Sequence, residues 1–558
     1  MTSSAVTSSF RFHEQLESPF DFIRREWRAI AVFGGGFTAL MVAVIFLVDQ
    51  SFFYPRLETD ALLYYLKAKS LADAGTTAAR LAVNLPPFPY ASMPGALRAP
   101  FLRVFSEFDD QLRAIQLGNV VIVDTVALMS AYVVSWILPR TRHWLAIGFA
   151  FGFTLLSPWW MANTFLPLAD APYAAFSLLS VIIAIRAIAS PRSLVRAGPI
   201  TAFAVVFVIA FLVRYTEPVV LIFVAALIRG RMPAQSIKWK AALVGLGLAS
   251  VVVGLLIYMN REAIIGRYIV EPFGLFRDGD KQSIVLNFFF LAVPAQVIPG
   301  FALGFSHPPI IDLYHAQFGA TRFDALWSTV GAMITGVVAL GAWRLKGRML
   351  PELLMVLAVL PVLVAMMPST SRYFMTYQPF FWIAFYEGLL ALSVRIPEAL
   401  RRSLVSHAGA LAVLALAIGL GAGVKARATS AGKIAGLADL PRYVHGVSGT
   451  YRPLRQFLQS LPRDRTVLTS RRWSFGRWKA IANLDSYAPD SDLVALTTQK
   501  DVYAVIECGS VDICSYFDKR EASTKDALCL VGEFDYELVF HAKDEKSEAK
   551  VFRIRPAR

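Results

Sequence analysis

Ile30-Ala-Val-Phe-Gly-Gly-Gly-Phe-Thr-Ala-Leu-Met-Val-Ala-Val-Ile-Phe-Leu-Val48 carries no charge and a single polar side chain, Thr38. As an α-helix, a run of this length rising about 1.5 Å per residue covers about 28 Å, close to the hydrocarbon thickness of a bilayer. The run reads as a membrane span. Arg24, Arg25 and Arg28 stand before it. It is too long for the apolar part of an export signal and is followed by no convincing small-residue cleavage site. A retained first span is therefore expected, with residues 1–28 as a cytoplasmic N-terminal segment.

Working outward, similar runs recur at about 115–138, 144–157, 171–189, 199–213, 218–228, 241–259, 326–343, 351–367, 378–394 and 405–424. Several are short and borrow flanking residues to cross. The whole chain of 558 residues is 56% hydrophobic and only 17% charged. Soluble chains carry about 25% charged residues, so an ordinary soluble enzyme is excluded. The net charge of +15 would suit a polyanion partner. Its basic residues, however, gather in alternate loops: Arg140 and Arg142; Arg186, Arg192 and Arg196; Arg229, Arg231, Lys238 and Lys240; Arg344, Lys346 and Arg348; Arg395, Arg401 and Arg402. That is the positive-inside pattern, so these loops are expected in the cytoplasm and no nucleic acid is expected as partner.

The apolar run 284–305 contains Pro294 and Pro299. If it crossed, every later loop would change sides. A re-entrant or surface course keeps the basic loops together, and gives about eleven spans with an outward C-terminus. Two outward loops are long, about 50–114 and 260–325. Beyond the membrane part, 29–429, the composition becomes charged and mixed. Short β-like runs (Thr466–Thr469, Val502–Ile506, Leu538–His541, Val551–Ile554) and a helical pattern at Leu454–Leu461 predict a small α/β domain over 430–558. The fold class expected is thus mostly α, polytopic, with a small C-terminal α/β extracytoplasmic domain. Cys508, Cys514 and Cys529 all fall in that domain, as one disulfide plus a free thiol or as reduced core residues.

Chemistry is concentrated in Arg56-Leu-Glu58-Thr-Asp60-Ala-Leu-Leu-Tyr64-Tyr65-Leu-Lys67-Ala-Lys69-Ser-Leu-Ala-Asp73-Ala-Gly75. Asp60 sits at an N-cap position and Gly75 at the helix end, which describes a capped amphipathic helix on the outer membrane surface. A capping carboxylate can also serve as a general base, so the two readings coexist. Glu58 and Asp60 also have the spacing of a pair able to hold Mg²⁺ or Mn²⁺, and metal dependence stays open. Asp124 and Glu387 lie within spans, where a charge is costly, and are expected to face partners inside the bundle. His307 and His315 have no ligand-like spacing. No Walker A, dinucleotide fingerprint or Ser-x-x-Lys nucleophile motif stands out, and the missing Walker A argues against an ATP-driven pump.

Taken in order, these segments resemble the GT-C superfamily of integral membrane glycosyltransferases, closest to its protein O-mannosyltransferase and lipid A aminoarabinose transferase branch. The likeness rests on an acidic residue after the first span and the helix ending Leu71-Ala-Asp-Ala-Gly75. It continues in Tyr90-Ala-Ser-Met-Pro94-Gly95-Ala-Leu-Arg98-Ala-Pro100, which has one proline fewer than the family's run and lacks a lysine found in some relatives. Leu156-Ser157-Pro158…Leu168-Ala-Asp170-Ala-Pro172-Tyr173 is similar to the second acidic loop, and Arg372-Tyr373…Pro379 to a pattern opening a late span. The segment ending Lys550–Pro556 is similar to the family's closing extracytoplasmic domain.

The resemblance implies a polyprenyl-phosphate sugar as donor, an inverting transfer to a hydroxyl of a lipid, glycan or protein, and no required cofactor. A phosphate leaving group needs no acid, while the acceptor hydroxyl needs a base: Asp60 first, Glu58 second. Fixed cations must meet the leaving phosphate, and Arg372 with Tyr373, then Arg214, are the candidates. Asp170 is assigned to orienting Asp60 or binding acceptor, and Tyr64, Lys67 and Arg98 to the donor or acceptor loops. Plainer roles stand beside these: a snorkelling Arg372, a local Arg214–Glu217 pair, and Asp170 as a simple N-cap. The expected setting is the periplasmic face of a bacterial inner membrane, with the C-terminal domain in the periplasm. The rival functions are a transporter or flippase of lipid-linked sugars, whose charges would sit at mid-membrane within repeated halves, and a non-catalytic scaffold of the same architecture.

Overall fold

The computed structural model describes residues 17–48, 50, 61, 64–65, 68, 71–72, 93–105, 108–136, 138, 140–189, 197–214, 220, 247, 251, 292–299, 301, 325–345, 371–393, 451–461, 466–469, 502–508, 534–543 and 548–556. The chain forms two compact units. One comprises Met1–Val42, Ala82–Pro94 and Leu117–Ala435, the other Ala43–Leu81, Gly95–Gln116 and Gly436–Arg558.

Helix α1 spans Pro19–Leu47, beginning eleven residues before the apolar run quoted above. Its local chemistry explains the early start: Ser18 Oγ accepts the Asp21 amide at 3.1 Å, and Pro19 occupies the first helical position. Phe22 then buries its ring against Tyr132 and His143, so the polar first turns have a packed face. Helix α2 covers Met93–Val104, within the long outward stretch 50–114, and α3 covers Phe108–Ser135. A short 3₁₀ turn, Arg140–Arg142, leads into α4, His143–Leu156. Helix α5, Pro158–Phe165, departs from α4 at 74°, with Ser157 extended between them and Pro158 opening the new helix. Then come α6, Asp170–Ala189, and α7, Ala197–Val213, packed together.

Of the run 284–305, the described part is a single turn, α8, Val293–Val297, which ends where Ile298 becomes extended. It lies buried against α9, Ala325–Arg344, and α10, Gln378–Ser393, with the Trp382 indole donating to the Gln296 carbonyl at 2.7 Å. A 3₁₀ segment, Ser371–Tyr377, precedes α10. Helices α9 and α10 meet through glycine: a Cβ at Gly341 would collide with the Ala384 carbonyl, and one at Gly388 with that of Val337.

Among the described residues three helices are long and apolar enough to cross a bilayer, or four if the α4–α5 pair forms one broken span, and 201–213 and 329–344 form shorter apolar helices. The chain is a mostly helical, multi-pass membrane protein. The runs at 218–228, 241–259, 351–367 and 405–424 lie outside the described residues, apart from isolated positions. Within the first unit, Asp124 accepts a hydrogen bond from the Thr38 hydroxyl of α1, which gives this intramembrane carboxylate a partner inside the bundle.

The second unit holds a four-stranded sheet: β1 Thr466–Thr469, β2 Val502–Cys508, β3 Phe534–Lys543 and β4 Glu548–Pro556, in order β1-β2-β4-β3. β1 runs parallel to β2, and the other two pairings are antiparallel. Helix α11, Tyr451–Ser460, closes one face. Its Leu454 and Leu458 join Tyr503, Ala549 and Val551 in the core, while Phe457 stacks on Phe540 at 4.8 Å. Cys508 ends β2, and the other two cysteines lie outside the described residues.

Candidate functional site

The site is built around the first turn of α6. The Ala169 carbonyl accepts the Tyr173 amide at 2.9 Å, so Ala169 is the N-cap, Asp170 the first helical residue and Ala171 the second. Alanine has no side chain to cap the helix, and Pro172, third in line, has no N–H. The second residue's donor, the Ala171 amide, bonds to Asn163 Oδ1 at 3.0 Å. The expectation of Asp170 as a simple N-cap is therefore corrected: the capping oxygen comes from Asn163, one helix earlier.

The Asp170 carboxylate instead pairs with the guanidinium of Arg214, with side-chain exposures of only 6% and 12%. Arg214 follows directly on α7, its amide still donating to Ala210 at 2.9 Å, and the α6–α7 packing brings the two ends together. Its guanidinium carbon lies 5.8 Å from the centre of the Tyr173 ring. The carboxylate also stands at a helix N-terminus, where negative charge is favoured. Glu217, the other partner expected for Arg214, lies outside the described residues.

The 3₁₀ segment Ser371–Tyr377 packs on α6. Helix α5 ties the two together. Trp160 Nε1 donates to Gln378 Oε1 at 2.8 Å, and Asn163 Nδ2 lies 4.0 Å from Met375 Sδ while also bonding the Trp159 carbonyl at 3.0 Å. From α3, Asn119 Nδ2 donates to the Leu166 carbonyl at 2.9 Å and reaches that of Thr164 at 3.4 Å, fixing the turn between α5 and α6. Asn163, Asn119, Trp160 and Gln378 are all buried, as are Phe374, Met375, Thr376 and Tyr377.

The structure thus joins Asp170, Arg214 and Tyr173 with the backbone of the segment that carries Arg372 and Tyr373. The side chains of those two residues lie outside the described set, as do Glu58, Asp60 and Lys67. Tyr64 and Arg98 are buried in the second unit, Arg98 within α2. There, Ala61, Tyr64, Tyr65, Ala68 and Leu71 are helical and buried at the spacing of one helix face. The neighbouring Tyr65 hydroxyl donates to Gln111 Oε1 at 2.6 Å. Among the described residues no three His, Cys, Asp or Glu side chains are grouped to hold a metal ion.

Sequence reasoning passed over Asn163, Asn119 and Gln378. The available signal was a buried amide on otherwise apolar helices, which must find partners when water is absent.

No protein-family model matches the sequence, and no curated relative does. Solved structures that resemble the fold include ArnT from Cupriavidus metallidurans in the apo state, at TM-score 0.45 and 12% identity, covering 92% of this chain and 97% of that one. They also include the oligosaccharyltransferase of Archaeoglobus fulgidus in the apo form, at TM-score 0.42 and 11% identity over 85% of this chain and 69% of that one. The same protein tethered to an acceptor peptide matches at TM-score 0.41 and 10% identity, over 87% and 70% of the two chains.

Proposed function

We propose that the chain is a GT-C-type membrane glycosyltransferase that moves a sugar from a polyprenyl-phosphate donor to a hydroxyl of a lipid, glycan or protein. The observation that carries this reading is the buried Asp170–Arg214 pair, with Asp170 on a helix against which the segment carrying Arg372 packs. An anionic leaving group at a membrane surface calls for cations fixed in place in low dielectric, and a guanidinium held by a carboxylate and an aromatic ring is pre-organised for that task. In this proposal Arg214 and Arg372, with Tyr373, meet the donor phosphate, and Asp170 holds Arg214.

The acceptor oxygen attacks the anomeric carbon as the bond from that carbon to the phosphate oxygen breaks. The lipid phosphate leaves with the electron pair, and the hydroxyl proton passes to the Asp60 carboxylate, with Glu58 as the second choice of base. One displacement inverts the anomeric configuration. Tyr64 and Arg98, which the structure places on buried helical stretches rather than loops, and Lys67 belong to the outward segment 50–114 that receives donor or acceptor. If a divalent cation such as Mg²⁺ or Mn²⁺ is bound, Glu58 and Asp60 would hold it.

The ends of the helices support an outward site. Asp170 and Arg186 stand sixteen residues apart on α6, which at 1.5 Å each is about 24 Å. At the Arg186 end, Arg186 donates to Tyr132 Oη at 2.7 Å and to the Glu17 carbonyl at 2.6 Å, and Arg25 binds Glu17, Glu26 and His143. Basic residues therefore crowd the end of α6 opposite Asp170, as expected if the Arg186 end is cytoplasmic and the site faces the periplasm of a bacterial inner membrane. On this topology the N-terminus is cytoplasmic and residues 430–558 are periplasmic.

The test gives purified protein a radiolabelled polyprenyl-phosphate sugar together with membrane extract as acceptor source. Transfer by the wild type and its loss in Asp60→Asn are expected. No transfer by the wild type would remove the function, and unchanged transfer by Asp60→Asn would remove the base.

A further inference from the structure

We infer that Asn163 is the positioning residue of the site: by capping α6 in place of Asp170, it leaves the Asp170 carboxylate to hold Arg214. The inference deepens the transferase reading and, where it concerns donor binding, rests on it. A helix whose N-cap is alanine and whose third residue is proline leaves the Ala171 amide to find an acceptor outside its own cap. Aspartate at the first helical position lies within reach of its own helix end and, as a short acidic side chain, is well suited to take that role. The structure shows the role filled by Asn163 Oδ1 at 3.0 Å, while the Asp170 carboxylate points to Arg214.

Asn163 is itself held firmly. It is 1% exposed, its Nδ2 donates to the Trp159 carbonyl at 3.0 Å, and the same nitrogen lies against Met375 of the 3₁₀ segment. The neighbouring turn of α5 adds the Trp160–Gln378 bond. One face of this short helix therefore fixes both the α6 start and the segment bearing Arg372. Without Asn163 the Ala171 amide would be left bare, and the Asp170 carboxylate is the nearest replacement acceptor along the chain. Turning to cap, it would release Arg214.

Two measurements on the full chain in detergent test this. The first needs no activity: thermal unfolding of the wild type, Asn163→Ala, Asp170→Ala and the double variant. The midpoint shift caused by Asn163→Ala should be smaller in the Asp170→Ala background, because there is then no ion pair to lose. Equal shifts in the two backgrounds overturn the inference, and this holds even if the wild type shows no transferase activity, in which case it is the proposed function that fails.

The second follows transfer from the polyprenyl-phosphate sugar. Asn163→Ala should raise the donor KM about tenfold and leave the acceptor KM unchanged. Adding Ala169→Ser, which supplies a hydroxyl at the N-cap position itself, should return the donor KM to within about twofold of the wild type. A merely structural role would reduce the active fraction, and with it the apparent kcat, at unchanged KM values. An unchanged donor KM in Asn163→Ala, or a raised one that Ala169→Ser leaves in place, overturns the inference.

Discussion

Removing one partner of the Asp170–Arg214 pair should cost far more than removing the two together. The side chains are 6% and 12% exposed, so removing either one takes a charged partner from a group largely out of water. Stranding one member of a buried pair costs about 3–5 kcal/mol, whereas replacing the whole pair by apolar groups is close to neutral. The two single variants should not be equal. In Arg214→Met the carboxylate keeps the favourable N-terminus of α6, worth about 0.3–1 kcal/mol, and the methionine retains most of the arginine stem. In Asp170→Ala the guanidinium keeps its place over Tyr173, worth about 0.5–1 kcal/mol at an exposed site and more when desolvated. Each single should therefore fall in the lower half of the 3–5 kcal/mol range, and the double should lie below either. With the double costing no more than either single, the resulting coupling is at least about 3 kcal/mol. Denaturant unfolding in detergent micelles, read by tryptophan fluorescence, gives all four corners of the cycle. If the effects add to within about 0.5 kcal/mol, the residues do not act as a buried pair, and the phosphate-binding role built on their pre-organisation goes with it.

Two further outcomes follow from packing. Gly341→Ala or Gly388→Ala should disrupt the α9–α10 contact by more than the usual overpacking cost of about 1–3 kcal/mol, since the obstacle in each case is a backbone carbonyl that cannot rotate away. Gly336→Ala on the same helix α9 meets nothing within 4 Å and should instead stabilise by up to about 1 kcal/mol through helix propensity. Thermal midpoints from size-exclusion traces distinguish the two classes. In the first unit, Thr38→Val removes the described partner of Asp124 and should destabilise by about 0.6–2 kcal/mol, with Thr38→Ser close to wild type. Equal midpoints for the Thr38→Val and Thr38→Ser variants would show that the hydroxyl contributes nothing to the α1–α3 contact.

How far the sequence could be read depended on how local the physics was at each place. Helices α6, α7, α9 and α10 begin and end within two residues of the apolar runs read along the chain, because a change from apolar to charged residues marks their ends directly. The starts of α1 and α3 came earlier than expected. Hydropathy sees only the apolar stretch, whereas Ser18 capping, buried Phe22 and the Asp109–Asp110 turn extend each helix into polar sequence. No sequence pattern announced helix α2, which begins at Met93 and runs through Pro94-Gly95. Buried Ala99 and Leu102 give it a packed face despite Pro100, and Gln111 binds the Leu102 and Phe105 carbonyls at 3.2 and 2.6 Å near its C-terminal end.

At the site the same division recurs. Local rules offered, beside the site roles, Asp170 as a cap of its own helix and Arg214 as the partner of a neighbour three residues away. The structure pairs the two across 44 residues, and links Trp160 to Gln378 across 218. Such partners are chosen by which helix ends meet, and no window of sequence contains that information. What a window does contain is the end of the helix at which each charge sits. Asp170 at the first residue of α6 and Arg186 near its last belong to opposite ends by counting alone. The alternation of basic loops then predicts which charges can share a site, and the fold decides which of them touch. That division explains why Asn163 escaped notice: it is uncharged, lies mid-helix and carries no topological signal. Its importance comes entirely from standing beside a helix whose own cap residue is alanine and whose third residue is proline.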